Sequence, residues 1–89
     1  MIFMNVNQLI LLLKNKIKKN ILIQNITIKD KTYLHQKHTS HTEGKFHLEL
    51  SVKSEELKKY NKIQATKKIY NILDEEIKQY IHSIQILIN

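Results

Sequence analysis

The sequence predicts an α+β fold with the order α-β-β-α-β, in which helices cover one face of a three-stranded mixed sheet. Three observations carry this prediction. Apolar residues recur at helical spacing near the start and again past the middle of the chain. In the centre they alternate strictly with polar residues, and near the end they alternate again. With 89 residues, the chain is expected to form one domain spanning residues 1–89, with a modest core and no separate catalytic domain.

Val6, Leu9, Ile10, Leu13 and Ile17 share one helical face, so the first helix is expected over about residues 5–19. Asn5 is its expected N-cap. Lys14, Lys16, Lys18 and Lys19 crowd its last turns, where positive charge suits the helix dipole, and Asn20 ends it. The apolar run Leu9-Ile10-Leu11-Leu12-Leu13 is far short of the roughly 20 residues that cross a bilayer. No basic segment precedes it and no small-residue cleavage site follows. It therefore reads as a helix and not as a signal or anchor, and no membrane partner is expected.

From Ile21 to Lys29 the chain is rich in β-branched residues, with Ile26 and Ile28 on one face and Thr27 and Lys29 on the other, a first strand. A polar, histidine-rich loop follows over about residues 30–45. It holds the only glycine, Gly44. An irregular segment of this length in a small domain is usually functional. Phe46, Leu48, Leu50 and Val52 then alternate with His47, Glu49, Ser51 and Lys53, predicting a strand with one buried and one wet face. Ser54 is the expected N-cap of the next helix, with Glu55 and Glu56 in its first turn. Ile63, Ile69, Tyr70, Leu73 and Ile77 supply its apolar face, with a break near Leu73–Asp74. Ile84, Ile86 and Ile88 alternate with Ser83, Gln85 and Leu87 in a last strand. The helix between the last two strands provides the crossover that a parallel pair requires.

Composition narrows the chemistry. There is no cysteine, so thiolate catalysis, disulfides and thiolate metal ligation by this chain are excluded, in keeping with a cytoplasmic setting. The net charge is +7. It comes from fifteen lysines and no arginine, and it concentrates in the first half. Lysine is a flexible point charge without the planar fork that reads phosphate or guanine edges. No Gly-rich phosphate loop, His-Glu-x-x-His motif or nucleophilic serine motif is present, and no enzyme activity is expected. The Asp74-Glu75-Glu76 run reads as a solvated helix face. The four tyrosines are too scattered for a base-stacking platform.

The five histidines are the remaining metal-binding candidates. His35, His38 and His41 repeat every three residues in the loop, His47 opens the second strand on its polar parity, and His82 stands just before the last strand. Neutral imidazole binds zinc, copper, nickel and iron. Spacing alone is also compatible with solvent-exposed loop histidines and with a His82 bonded to a backbone carbonyl.

The run His47-Leu48-Glu49-Leu50-Ser51-Val52-Lys53-Ser54-Glu55-Glu56-Leu57 resembles the BolA family. That family shows a histidine-aromatic opening of the second strand, then a closing serine, an acidic residue and a bulky apolar residue. Downstream, Ile69-Tyr70, Leu73, Glu75-Glu76 and Ile81-His82-Ser83-Ile84 match at the expected spacing. Asp30-Lys31-Thr32-Tyr33-Leu34-His35 is similar to the family's segment after the first strand. The chain departs from the family at Lys59, where glycine is usual, and at Ala65-Thr66-Lys67, where an Arg-His-Arg run is usual. Its loop between His35 and His47 is longer by a few residues than in many members.

The resemblance implies a fold related to the KH domain and a non-enzymatic adaptor. Its partner would be a monothiol glutaredoxin, with which it would share a [2Fe-2S] cluster. The glutaredoxin cysteine and glutathione would hold one iron. His82 and His35 would hold the other, with His38, His41 and His47 as alternates to His35. The implied role is iron–sulfur cluster trafficking or iron and redox sensing, with no cluster expected on the isolated chain. A second implied role is DNA-binding transcription regulation, with Lys58, Lys59, Lys62, Lys67 and Lys68 as the contacting cations. Against that role, the KH phosphate clamp needs a Gly-x-x-Gly turn, and the single glycine lies elsewhere. A homodimer is compatible with either role.

Overall fold

The computed structural model describes residues 4–32 and 45–89. Helix α1, Val6–Asn20, opens with a reciprocal cap: the Asn5 side chain accepts from the Gln8 N–H at 2.8 Å, and the Gln8 side chain accepts from the Asn5 N–H at 3.2 Å. Two of its orphan N–H groups are thereby satisfied, as the Asn5 reading requires. Leu9, Leu13 and Ile17 are fully buried along one stripe. At the other end, the Asn20 side chain donates to the Lys16 carbonyl at 2.8 Å.

Strand β1 runs from Asn25 to Asp30, shorter than the Ile21–Lys29 reading. The reason lies in what the intervening backbone bonds to. Leu22 N–H donates to the Glu56 carboxylate at 3.1 Å, Glu55 N–H donates to the Gln24 side chain at 2.8 Å, and Ser54 Oγ donates to the Leu22 carbonyl at 2.7 Å. Leu22 and the Gln24 side chain are thus bonded to the turn after the next strand, and Gln24 meets that strand only at its end, where its N–H donates to the Lys53 carbonyl at 2.9 Å.

Strand β2, Phe46–Lys53, is central. It pairs antiparallel with β1 and parallel with β3, Ile81–Ile88. The register stacks apolar rows on one face: Ile26, Val52 and Ile88 in one, Ile28, Leu50 and Ile86 in the next. The opposite face carries Thr27, Ser51 and Leu87, then Lys29, Glu49 and Gln85. The buried members of α1, β1, β2, α2 and β3 form one core cluster on the apolar side, with Leu50, Val52, Ile69 and Leu73 fully buried.

Ser54 does not start the second helix. It anchors a turn and a short 3₁₀ segment, Leu57–Lys59, accepting from the Leu57 N–H at 3.1 Å. Helix α2, Lys62–Ile72, starts later, where Asn61 and Gln64 form a second reciprocal cap. The delay moves the apolar stripe. Ala65, Ile69 and Leu73 face the core, while Ile63, expected inside, is 70% exposed. Tyr70 is partly exposed, and its hydroxyl donates to the Ile84 carbonyl at 3.0 Å.

The helix breaks at Leu73 as expected, and α3, Asp74–Tyr80, follows at once. Its first turn holds Asp74, Glu75 and Glu76, where negative charge suits the positive end of the helix. Glu76 is not solvated as expected. It is buried, and it accepts from Lys16 Nζ at 2.9 and 3.1 Å, tying α3 to α1. Among the described residues, no helix is long and apolar enough to cross a membrane.

Candidate functional site

The candidate site begins at the junction of α3 and β3. Phe46 is in register with Ile81, but His47 is in register with Ser83, so β3 carries one extra residue, His82, at a bulge. Ile81 and Ile84 both face the core although they are three residues apart. His82 and Ser83 lie between them, and both are exposed. A regular strand would have turned one of the two inward. The bulge therefore presents two consecutive polar side chains away from the core.

His47 is the neighbour they meet. Its ring centroid is 4.7 Å from that of His82, with the planes tilted by 35°. Its Nδ1 lies 2.7 Å from Ser83 Oγ. The backbone of His47 is held as well. Its N–H donates to Thr32 Oγ1 at 3.1 Å, and its carbonyl accepts from Lys31 N–H at 2.7 Å. The Asp30 carboxylate accepts from both the N–H and the hydroxyl of Thr32, fixing that side chain in turn. His47 has the polar parity expected of it but is not wet: only 6% of it is exposed. Parity assigns a residue to a sheet face and says nothing about what lies over that face.

Next to this pair is an open concavity of about 310 Å³ lined by Lys31, His47, Glu49, Ser83 and Gln85 together with backbone of β2 and β3. It offers an ammonium, a carboxylate, a hydroxyl and an amide on the face of the sheet that the helices leave uncovered.

The structure thus brings together two of the five histidines, His47 and His82. His35, His38 and His41 lie outside the described residues. His82, expected just before the last strand, lies within β3 and is exposed rather than half-buried, as the ligand reading needs. Among the described residues, no group of three histidines or carboxylates is arranged to hold a metal ion. The donor set at the bulge is one open imidazole backed by one buried imidazole. Such a set suits a metal centre completed by donors from elsewhere. Ser83 and Thr32 were not singled out as site residues in the sequence. The signal for Ser83 was the three-residue spacing of Ile81 and Ile84 inside a period-two strand, which marks an extra residue.

The five lysines considered for DNA lie on the 3₁₀ segment and α2. Lys58 pairs with Glu55 at 3.3 Å, and Lys68 Nζ sits 5.3 Å from the Tyr60 ring centroid. Lys59, Lys62 and Lys67 are exposed. Tyr60, Gln64, Lys67, Lys68 and Asn71 line a shallow, open hollow.

Comparisons with known proteins agree with this architecture. The sequence-family profile described as BolA-like protein matches residues 17–89. The BolA domain of SufE1 from Arabidopsis thaliana superposes with a TM-score of 0.77 at 19% identity, over 97% of this chain and 93% of that one. BolA1 from Arabidopsis thaliana gives 0.76 at 20% identity, over 90% and 88%. Among curated proteins, none matches the chain.

Proposed function

The chain belongs to the BolA-like family, and from that premise we propose that it is an adaptor that binds a monothiol glutaredoxin and shares a [2Fe-2S] cluster with it through histidine. The observation that carries this reading is the exposed His82 imidazole, set outward by a bulge at the head of β3 beside an uncovered sheet face. Iron is a common partner of neutral imidazole. A cluster shared between two proteins needs an open half-site on each, and His82 supplies one donor of such a half-site. His35 in the histidine-rich loop is the proposed second donor, with His38 and His41 as substitutes. The glutaredoxin cysteine and glutathione complete the other half.

The chain has no cysteine, so its half-site is of the all-imidazole kind. Two imidazoles in place of two thiolates on one iron raise the reduction potential of a cluster. Cluster and partner binding are coupled, because neither protein offers a full donor set. This coupling suits either delivery of a cluster or sensing of iron and redox state.

The test is to mix the protein with a monothiol glutaredoxin, iron, sulfide and glutathione and record the visible absorption and circular dichroism against glutaredoxin alone. A new spectrum is expected that depends on this chain and is lost in His82→Ala. His35→Ala is expected to weaken it. An unchanged spectrum in His82→Ala refutes the assignment.

A further inference from the structure

We propose that His47 is a positioning residue for His82: its ring, clamped by Ser83, fixes the direction in which the His82 imidazole is presented. The inference rests on the reading of His82 as a ligand and adds to it the residues that orient that ligand.

An exposed histidine at a strand end is free to rotate about both side-chain torsions. A ligand with that freedom pays an ordering cost each time it binds. Here one side of the His82 ring is in contact with the His47 ring, at 4.7 Å and a 35° tilt, which is within the range of favourable offset ring packing. The contact restrains His82 only if His47 is itself immobile, and three observations show that it is. His47 is buried, with 6% of the residue exposed. Its Nδ1 lies 2.7 Å from Ser83 Oγ, which fixes the ring plane. Its backbone is bonded on both sides, to Thr32 and to Lys31.

The bulge makes the arrangement possible. It puts His82 and Ser83 on the same side of β3, so consecutive residues supply the ligand and the clamp on its neighbour. The geometry also separates the roles of the two rings. For His47 to ligate a metal outside the sheet, its ring would have to leave its buried position. His82 is already outside. A ring-packing neighbour of this kind changes the affinity of what it orients by about 2- to 10-fold when removed.

The experiment compares wild type with His47→Phe, His47→Ala, Ser83→Ala and His82→Ala. In the isolated protein, nuclear Overhauser contacts and ring-current shifts report whether the His82 ring packs on its neighbour. In the glutaredoxin complex, pulsed EPR of the reduced cluster reports the nitrogen hyperfine coupling of the bound imidazole. The expected results are a ring–ring contact in wild type, its retention with near wild-type coupling in His47→Phe, and its loss in His47→Ala. The last variant should also show a broadened spread of couplings and a complex weaker by about 2- to 10-fold. Ser83→Ala removes neither ring and should broaden the coupling in the same direction by less. It decides the matter if His47→Ala fails to fold. A missing ring contact in wild type, or wild-type coupling in both His47→Ala and Ser83→Ala while His82→Ala abolishes the signal, overturns the positioning role and leaves the ligand reading standing. Nitrogen coupling that survives in His82→Ala overturns the ligand reading itself.

Discussion

The Ser54 hydroxyl is fully buried, and it both donates to the Leu22 carbonyl at 2.7 Å and accepts from the Leu57 N–H at 3.1 Å. One side chain thus joins the exit of α1 to the exit of β2. Replacing it with alanine leaves the buried Leu57 N–H without that partner and takes one from the Leu22 carbonyl, and the desolvation cost of an unpaired buried group exceeds the net worth of the bond it loses. Ser54→Ala is expected to cost about 1–3 kcal/mol, and for a domain of this size each kcal/mol lowers the midpoint by about 4–8 °C. Thermal unfolding followed by circular dichroism checks it, and a loss within error of zero would show that the hydroxyl is dispensable. His47 belongs at the same scale. It is a polar residue of outward parity that is buried because His82, Ser83 and Thr32 meet it.

Two helix starts share one device, since Asn5 with Gln8 and Asn61 with Gln64 both form reciprocal caps. Asn61→Ala should destabilise the protein by about 1 kcal/mol, and Asn61→Ser by much less, as urea midpoints at constant slope would show. The tie between α1 and α3 gives a pH signature. The hydrogen bond from Lys16 to Glu76 raises the lysine's pKa above its ordinary 10.5, with neighbouring carboxylates adding to the effect and burial opposing it. A raised amine pKa stabilises the fold fully below 10.5 and stops doing so as pH climbs through the raised value. The midpoint difference between wild type and Lys16→Met should therefore be present at neutral pH and vanish in strong alkali, where wild type has lost the same charge. The elements differ in how legible they were. Periodicity and local capping signals located α1, β2 and the break at Leu73, because those signals lie within the segment they define. The start of β1 depends on bonds from residues 22–24 to residues 53–56, and the late start of α2 depends on Ser54 serving a turn. These are long-range or competing uses of the same residues, which a one-dimensional pattern does not resolve. His82 was one of five candidate histidines by residue type, and family resemblance singled it out as a ligand. Its contact with His47 follows from a bulge that only the register reveals.

For the molecule as a whole, charge decides how it meets polyanions. Among the described residues, Lys16, Lys58 and Lys78 are paired with carboxylates, while Lys59, Lys62 and Lys67 are exposed along the 3₁₀ segment and α2. A net charge of +7 predicts some non-specific attraction to DNA. Whether it amounts to regulation depends on discrimination. Lysine ammonium groups contact phosphates without reading base edges, and each phosphate neutralised contributes about −0.9 to the slope of log affinity against log salt. Affinity for duplex DNA should therefore fall steeply between roughly 50 and 200 mM salt, with the same slope for unrelated sequences. Replacing Lys59, Lys62 and Lys67 together by glutamine should flatten that slope by up to about 2.7, the sum of three phosphate contacts. Fluorescence anisotropy on two unrelated duplexes measures both quantities. A preference of about 10³-fold or more for one duplex at physiological salt, the discrimination typical of specific DNA binders, would require base contacts that this lysine array does not provide. That outcome would make DNA recognition the primary activity and cluster sharing secondary.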